Sequence, residues 1–146
     1  MSEAKILNEY STVAVVGASP NPRRPSCKVA SYLTRHGYHV ILVNPRAKEI
    51  LGKTIYPALS SIPEPVEVVD IFRSSEELMP IVDEAIKIGA KAVWMQEGII
   101  NEEAASKAID AELLVVMDKC MRKEHIRLAR ESLYHTSKRC SVPRPC

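Results

Sequence analysis

The sequence predicts an α/β fold, an open, doubly wound sheet of five parallel strands in the order 3-2-1-4-5. Short, nearly unbroken apolar runs rich in β-branched residues recur along the chain, as strands covered on both faces require. Amphipathic stretches with a helical repeat separate them. Strands that alternate with helices pair in parallel through right-handed crossovers.

Thr12-Val13-Ala14-Val15-Val16 is the first run, and Gly17 ends it. Pro25 to His36 follows as a helix with Val29, Ala30 and Leu33 on one face and Gly37 as its stop. His39 to Val43 is the second run, ended by Asn44-Pro45. From Arg46 to Pro65 the pattern is irregular, and Gly52, Pro57, Pro63 and Pro65 suggest a short helical turn plus loops. Val66 to Phe72 is the third run. Ser74-Ser75-Glu76-Glu77 then reads as a capping box for a helix whose apolar face is Leu78, Val82, Ala85 and Ile86, closed by Gly89. Ala92 to Met95 is the fourth run. Asn101 caps the next helix, with Glu102 and Glu103 at the positive end of its dipole. Leu113 to Met117 is the fifth run, and Cys120 to about Tyr134 is a last amphipathic helix.

Composition narrows the function. The chain has 146 residues, a net charge of +2, 46% hydrophobic and 26% charged residues, which suits one globular domain. The near-even charge gives no electrostatic case for nucleic acid, and 5% aromatics is thin for stacking bases. The N-terminal segment lacks the apolar core of a secretory signal. The longest apolar stretch of the chain, Val13 to Ala18, is far below the roughly 20 residues of a spanning helix. A cytoplasmic location is therefore expected, with Cys27, Cys120, Cys140 and Cys146 as free thiols. The domain is expected over residues 1–135, and the Lys-, Arg-, Ser- and Pro-rich tail 136–146 is expected to be flexible.

In open α/β sheets a ligand sits beyond the carboxyl ends of the strands, at the switch in strand order. That rule selects the loops Gly17–Ser26, Asn44–Lys48, Phe72–Ser74, Gln96–Gly98 and Asp118–Cys120. In the first loop a glycine turn precedes a helix N-terminus, which favours an anion. Ser19, Asn21 and Ser26 add neutral donors, and Arg23 and Arg24 add charge, so phosphate is the natural guest. The plainer alternative is a strand–helix turn with solvated arginines. The dinucleotide fingerprint G-x-G-x-x-G is absent, because Ser19 and Pro22 stand where glycines are needed. The second strand ends in Asn44-Pro45-Arg46, where an NAD site places an acid. Arg46 suits a phosphorylated ribose, as in NADP or coenzyme A, or is an exposed loop arginine.

The segments Val13 to Pro20, Val43-Asn44-Pro45-Arg46, Ile50-Leu51-Gly52-Lys53 with Tyr56-Pro57, and Val68 to Arg73 resemble those of the small CoA-binding proteins. Lys91 to Gly98 and Cys120 to His125 extend the match to about Tyr10–Ala129. Members of that family are single Rossmann-like domains similar to the N-terminal part of the succinyl-CoA synthetase α subunit. The resemblance implies coenzyme A or acyl-CoA as ligand. Gly17, Ala18 and Ser19, with the turn through Pro20 and Asn21, Arg23 and Ser26, would hold its phosphates. Asn44, Pro45 and Arg46 would border the adenosine end, and Phe72 and Arg73 would flank the nucleotide or the start of the pantetheine arm. Gln96, Glu97 and Gly98 would line the side toward the thiol. The implied role is binding, sensing or carriage, because no ligase domain or ATP-grasp partner fits in this length. None of His36, His39, His125 and His135 matches the synthetase phosphohistidine by motif. The alternatives are an NADP-binding oxidoreductase and a ligand-free regulatory interaction module.

Other chemistry is weaker. Gly17-Ala18-Ser19-Pro20-Asn21 fails as a nucleophile elbow, because a small residue is needed where Asn21 stands. Cys120, His125, Cys140 and Cys146 have no recognised metal-ligand spacing. Cys120 at a helix start is either a reactive thiol, near the CoA sulfur, or a small buried hydrophobe. Cys27 reads as core. Glu124 and His125 point to different helix faces, so His125 is expected to pack or make a structural hydrogen bond. Trp94 reads as core, with its N–H seeking a partner.

Overall fold

The computed structural model describes residues 2–46, 49–50 and 53–136. Five helices and seven strands follow one another: α1 (Ser2–Glu9), β1 (Thr12–Val16), α2 (Pro25–Arg35), β2 (His39–Val43), β3 (Glu49–Ile50), β4 (Lys53–Tyr56), β5 (Val68–Ile71), α3 (Leu78–Lys87), β6 (Ala92–Met95), α4 (Glu102–Asp110), β7 (Leu114–Val116) and α5 (Met121–Thr136). Short 3-10 turns at Leu59–Ser61 and Ser75–Glu77 complete the described elements. The tail beyond Thr136, with Cys140 and Cys146, lies outside the described residues, as does Leu51-Gly52 of the Ile50–Lys53 motif.

The sheet runs β3-β4-β2-β1-β5-β6-β7. Six strands are parallel and give the order 3-2-1-4-5-6, and β3 pairs antiparallel with β4 at the edge. The five-strand expectation is therefore one parallel strand short. The third strand of the 3-2-1 half is β4, not the run beginning at Val66. That run forms β5 and pairs with β1, with Val13 opposite Val68 and Val16 opposite Ile71. Strand β4 leaves no apolar run in the sequence because it is short and carries polar residues, with Ile55 buried and Thr54 exposed. It pairs with β2 through Leu42–Ile55 and Val43–Tyr56.

Strict alternation along the strands divides the core into two layers. Val13, Val15, Val40, Leu42, Val68 and Trp94 face α1, α2 and α5. Ala14, Val16, Ile41, Val43, Val69, Ile71, Val93 and Met95 face α3 and α4. Both faces are covered, which is why the strands read as continuous apolar runs. Trp94 is fully buried, and its indole donates to Lys119 O at 2.8 Å. Helix α1 was not foreseen. It buries Ile6 and Leu7 against the first layer, and Lys119 pairs with Glu3 at 2.7 Å.

The helix ends match expectation except one. Asn101 Oδ1 accepts from Ala104 N at 3.0 Å, and Gly37 and Gly89 adopt φ of +90° and +78° after α2 and α3. Ser74 makes no side-chain cap to a backbone amide. The expected capping box fails because Arg73 Nε takes the Glu77 carboxylate at 2.6 Å, and Ser74 Oγ donates to its other oxygen at 3.2 Å. A 3-10 turn, Ser75–Glu77, precedes α3. Among the described residues, no helix is long and apolar enough to cross a membrane.

Candidate functional site

The carboxyl ends of β1, β2, β5 and β6 open onto a cavity of about 610 Å³. That lies within the range of small-molecule sites. Its near wall is the loop after β1, where Gly17, Ala18, Ser19 and Pro20 line it. Arg24, Pro25 and Ser26 at the start of α2 continue that wall, and Asn44 joins from the end of β2. Phe72 and Arg73 border it from β5. Gln96, Glu97 and Ile99 close the far side with Cys120, the residue before α5.

Gly17 shapes this site by close approach. Its φ is +89°, and a Cβ there would stand 2.9 Å from Phe72 O and 2.9 Å from Arg73 Cδ. The amides of Gly17 and Ala18 both donate to Val43 O, at 2.9 and 3.2 Å. Asn44 locks the same corner. Its Nδ2 donates to Ala18 O at 2.7 Å, and its Oδ1 accepts from Arg46 N at 2.8 Å. Asn44 thus braces two loops with its own side chain.

The rest of the loop is held by local turns. Ser19 Oγ accepts from Asn21 N at 3.1 Å, Asn21 Oδ1 from Arg23 N at 3.0 Å, and Asn21 O from Arg24 N at 3.0 Å. Pro20, Pro22 and Pro25 have no N–H. Cys27 N and Lys28 N are used by Arg24 O. Among the described residues, the loop amides left without a protein partner are those of Ser19 and Ser26. Both residues line the cavity, and Ser26 is buried there at 4% exposure. Arg24 supplies the cation beside them. Two unpartnered amides, two hydroxyls and one guanidinium thus belong to residues lining one cavity, a donor set whose chemistry suits an anion.

A second hollow of about 430 Å³ lies on the α3 side of the sheet. Val43, Pro45, Pro57, Ala58 and Leu59 line it together with Glu76, Glu77 and Glu84. It shares Gly17 and Arg73 with the larger cavity, so the two meet over the glycine. The guanidinium of Arg73, with lesser help from Arg46, holds the Glu77 carboxyl below its ordinary value.

Ten of the expected site residues border the larger cavity: Gly17, Ala18, Ser19, Pro20, Ser26, Asn44, Phe72, Arg73, Gln96 and Glu97. Pro45 lines the second hollow. Asn21, Arg23, Arg46 and Gly98 are exposed and line neither. Asn21 and Gly98 serve the loops themselves, the latter through its amide to Asp118 Oδ1 at 2.7 Å. Pro25 and Ile99 were not expected, and of the two loop cations, Arg23 and Arg24, it is Arg24 that lines the cavity. Pro25 marks the first helical position and so places Arg24 at the mouth of the helix. Cys120, weighed as a thiol near the ligand, is half-buried in the cavity wall. Cys27 is buried. His125 is structural: its Nδ1 lies 2.8 Å from Tyr32 Oη, and burial, then the neighbouring His36, hold its pKa below the ordinary value.

Asp70 is the buried ionisable group of the site. It sits on β5 behind Gln96, fully buried, and Gln96 Nε2 donates to its Oδ1 at 2.5 Å. Among the described residues, Oδ2 has no hydrogen-bond partner. Burial pushes the carboxyl up to about 8, against the opposing pull of the Gln96 bond. Gly98 N and Asp118, by contrast, meet at the surface.

The chain matches the family model described as a CoA binding domain over residues 11–126, and it belongs to that family. It is 36% identical over 121 residues to a Bacillus subtilis (strain 168) protein named uncharacterized protein YneT, covering 83% of this chain and 90% of the relative. A solved structure described as a hypothetical protein from Pyrococcus horikoshii OT3 is 46% identical, with a TM-score of 0.84, over 86% of this chain and 89% of that one. An acetate–CoA ligase (ADP-forming) of Archaeoglobus fulgidus is 29% identical over 108 residues, 73% of this chain but only 16% of the ligase.

Gly17→Ala forces a side chain into left-handed backbone and against the Phe72 carbonyl. The expected loss is about 2–3 kcal/mol of unfolding free energy in urea titration. The Asp70 carboxyl has a folded value above its unfolded one, so the folded chain holds a proton that the unfolded chain releases. Its contribution is fully present below about pH 4 and declines until about pH 8. Asp70→Asn removes that decline, so the stability of Asp70→Asn relative to wild type increases between about pH 5 and pH 8, by a few kcal/mol. Parallel pH profiles for the two proteins would contradict the assignment.

Proposed function

We propose that this member of the CoA binding domain family holds coenzyme A or an acyl-CoA across the carboxyl ends of its strands, in a binding, sensing or carrier role. What carries this proposal is the family match over residues 11–126, which contains every residue of the anion-accepting corner. The phosphates fit the corner made by the Ser19 and Ser26 amides and Arg24. The adenosine end fits the second hollow along its apolar residues beside Pro45, where Arg46 stands near enough to act on Glu77. The pantetheine arm then runs through the larger cavity past Phe72 toward Gln96, Glu97 and Cys120. Each loop contributes to one section of a long ligand, as the switch-point rule for open sheets anticipates.

Thermal unfolding with CoA, dephospho-CoA, NADP and NAD tests this proposal. A ligand at about 100 times its Kd adds about 2.7 kcal/mol to stability. CoA is expected to raise the Tm, and NAD and NADP to leave it unchanged; a shift from NADP alone overturns the proposal. A smaller shift with dephospho-CoA assigns the 3′-phosphate to the Arg46 side, and equal shifts remove Arg46 from that role. Among the loop arginines, Arg24→Ala is expected to weaken CoA about tenfold, the value of a charge-assisted bond, and Arg23→Ala to leave it near wild type. Calorimetric titration of the two variants separates them.

A further inference from the structure

The Asp70–Gln96 pair stands apart from the phosphate corner. Asp70 is at 0% exposure in the middle of the sheet, an expensive place for a carboxyl without full hydrogen bonding. Its neighbours in register are Val15 on β1 and Trp94 on β6, both apolar. Its polar contact is the neutral Gln96 amide. The titratable groups around the cavity are farther out on other elements: Arg24 before α2, Arg73 after β5, Glu97 after β6 and Cys120 before α5. None of them contributes to the displacement of the Asp70 pKa. Gln96 is itself 4% exposed, and the surface it retains belongs to the cavity. Nε2 gives one of its two N–H groups to Asp70, and the acceptor Oε1, which takes no protein hydrogen bond among the described residues, is left for a ligand.

We propose that Asp70 is a positioning residue that sets which end of the Gln96 amide faces the cavity, and that Gln96 Oε1 there accepts a hydrogen bond from an N–H or S–H donor on the ligand's arm. The proposal rests on the assignment of the cavity to a CoA-like ligand, whose pantetheine arm carries amide N–H groups and a terminal thiol. The chemistry follows from the donor and acceptor inventory. An ionised Asp70 only accepts, so it holds Nε2 inward and Oε1 outward. A protonated Asp70 also donates, and its unpartnered Oδ2 allows the amide to turn over, placing Nε2 toward the cavity. The proton on Asp70 therefore changes the far wall from acceptor to donor. A ligand donor is bound better by the ionised form, so binding releases a proton and affinity rises with pH through the Asp70 titration.

Calorimetric titration of CoA and of acetyl-CoA from about pH 6.5 to pH 9, on wild type, Asp70→Asn and Gln96→Leu, tests this. The ratio of Kd between Asp70→Asn and wild type cancels the ligand's own titrations. That ratio is expected to grow about three- to tenfold over the range, the size of one hydrogen bond. With Gln96→Leu the wild-type pH dependence disappears. Growth of the ratio with CoA but not with acetyl-CoA identifies the thiol as donor, and growth with both identifies an amide N–H. A ratio constant with pH overturns the positioning role while CoA binding stands. Wild type that binds neither ligand overturns the CoA assignment, and this proposal with it. Should Asp70→Asn fail to fold, the Gln96 side-chain NH₂ resonances of wild type replace it. They move with the Asp70 titration if the amide is coupled to it, and their constancy overturns the proposal.

Discussion

At the end of β1 the backbone turns through a φ of +89° at Gly17, and the amides of Gly17 and Ala18 both donate to Val43 O. The turn brings the loop within van der Waals contact of the Phe72 carbonyl and the stem of Arg73. Three strand ends, β1, β2 and β5, are thereby tied at one point. The larger cavity begins on one side of that point and the smaller hollow on the other. Asn44 fastens the corner from β2, and the loop beyond Ala18 inherits its position from it. A side chain at residue 17 would separate these strand ends, and with them the two halves of the site.

The parts of the fold set by local apolar pattern were legible in the sequence. Strands β1, β2, β5, β6 and β7 sit within the expected runs because burial on both faces leaves little room for polar residues. Asn101 and Gly89 act as their chemistry predicts, since caps and stops depend on a few neighbouring atoms. The edge was not legible. Strand β4 buries Ile55 while Thr54 stays exposed, so it has no run to detect. Helix α1 was hidden for a related reason: Ile6 and Leu7 face inward among charged neighbours, in a segment too short for a clear helical repeat.

The site was legible at the level of loops and less so at the level of atoms. Strand-end geometry gave Gly17, Ser26, Phe72, Gln96 and Glu97 their places at the cavity. It could not show that the Asn44 side chain is used up between two loops, or that Arg24 rather than Arg23 meets the cavity. Such distinctions depend on hydrogen bonds between segments far apart in sequence. Asp70 illustrates the same limit. Within Val68-Val69-Asp70-Ile71 it reads as an interruption of a strand, and only the sheet register reveals a carboxyl between Val15 and Trp94. The modest net charge of +2 likewise conceals its arrangement, in which Arg73 is neutralised by Glu77 while Arg24 stands beside unspent amides.

The loop from Gly17 to Ser26 holds three prolines, Pro20, Pro22 and Pro25, and ties the amides of Asn21 and Arg23 into successive side-chain turns. Each proline narrows the conformations open to the unfolded and the unliganded chain alike. The corner's backbone is therefore fixed by its own covalent and hydrogen-bonded structure, and an anion accepted there, as proposed, would meet a surface with little backbone freedom left to lose. The proposed adaptation lies at the opposite end of the cavity, in the side-chain amide of Gln96.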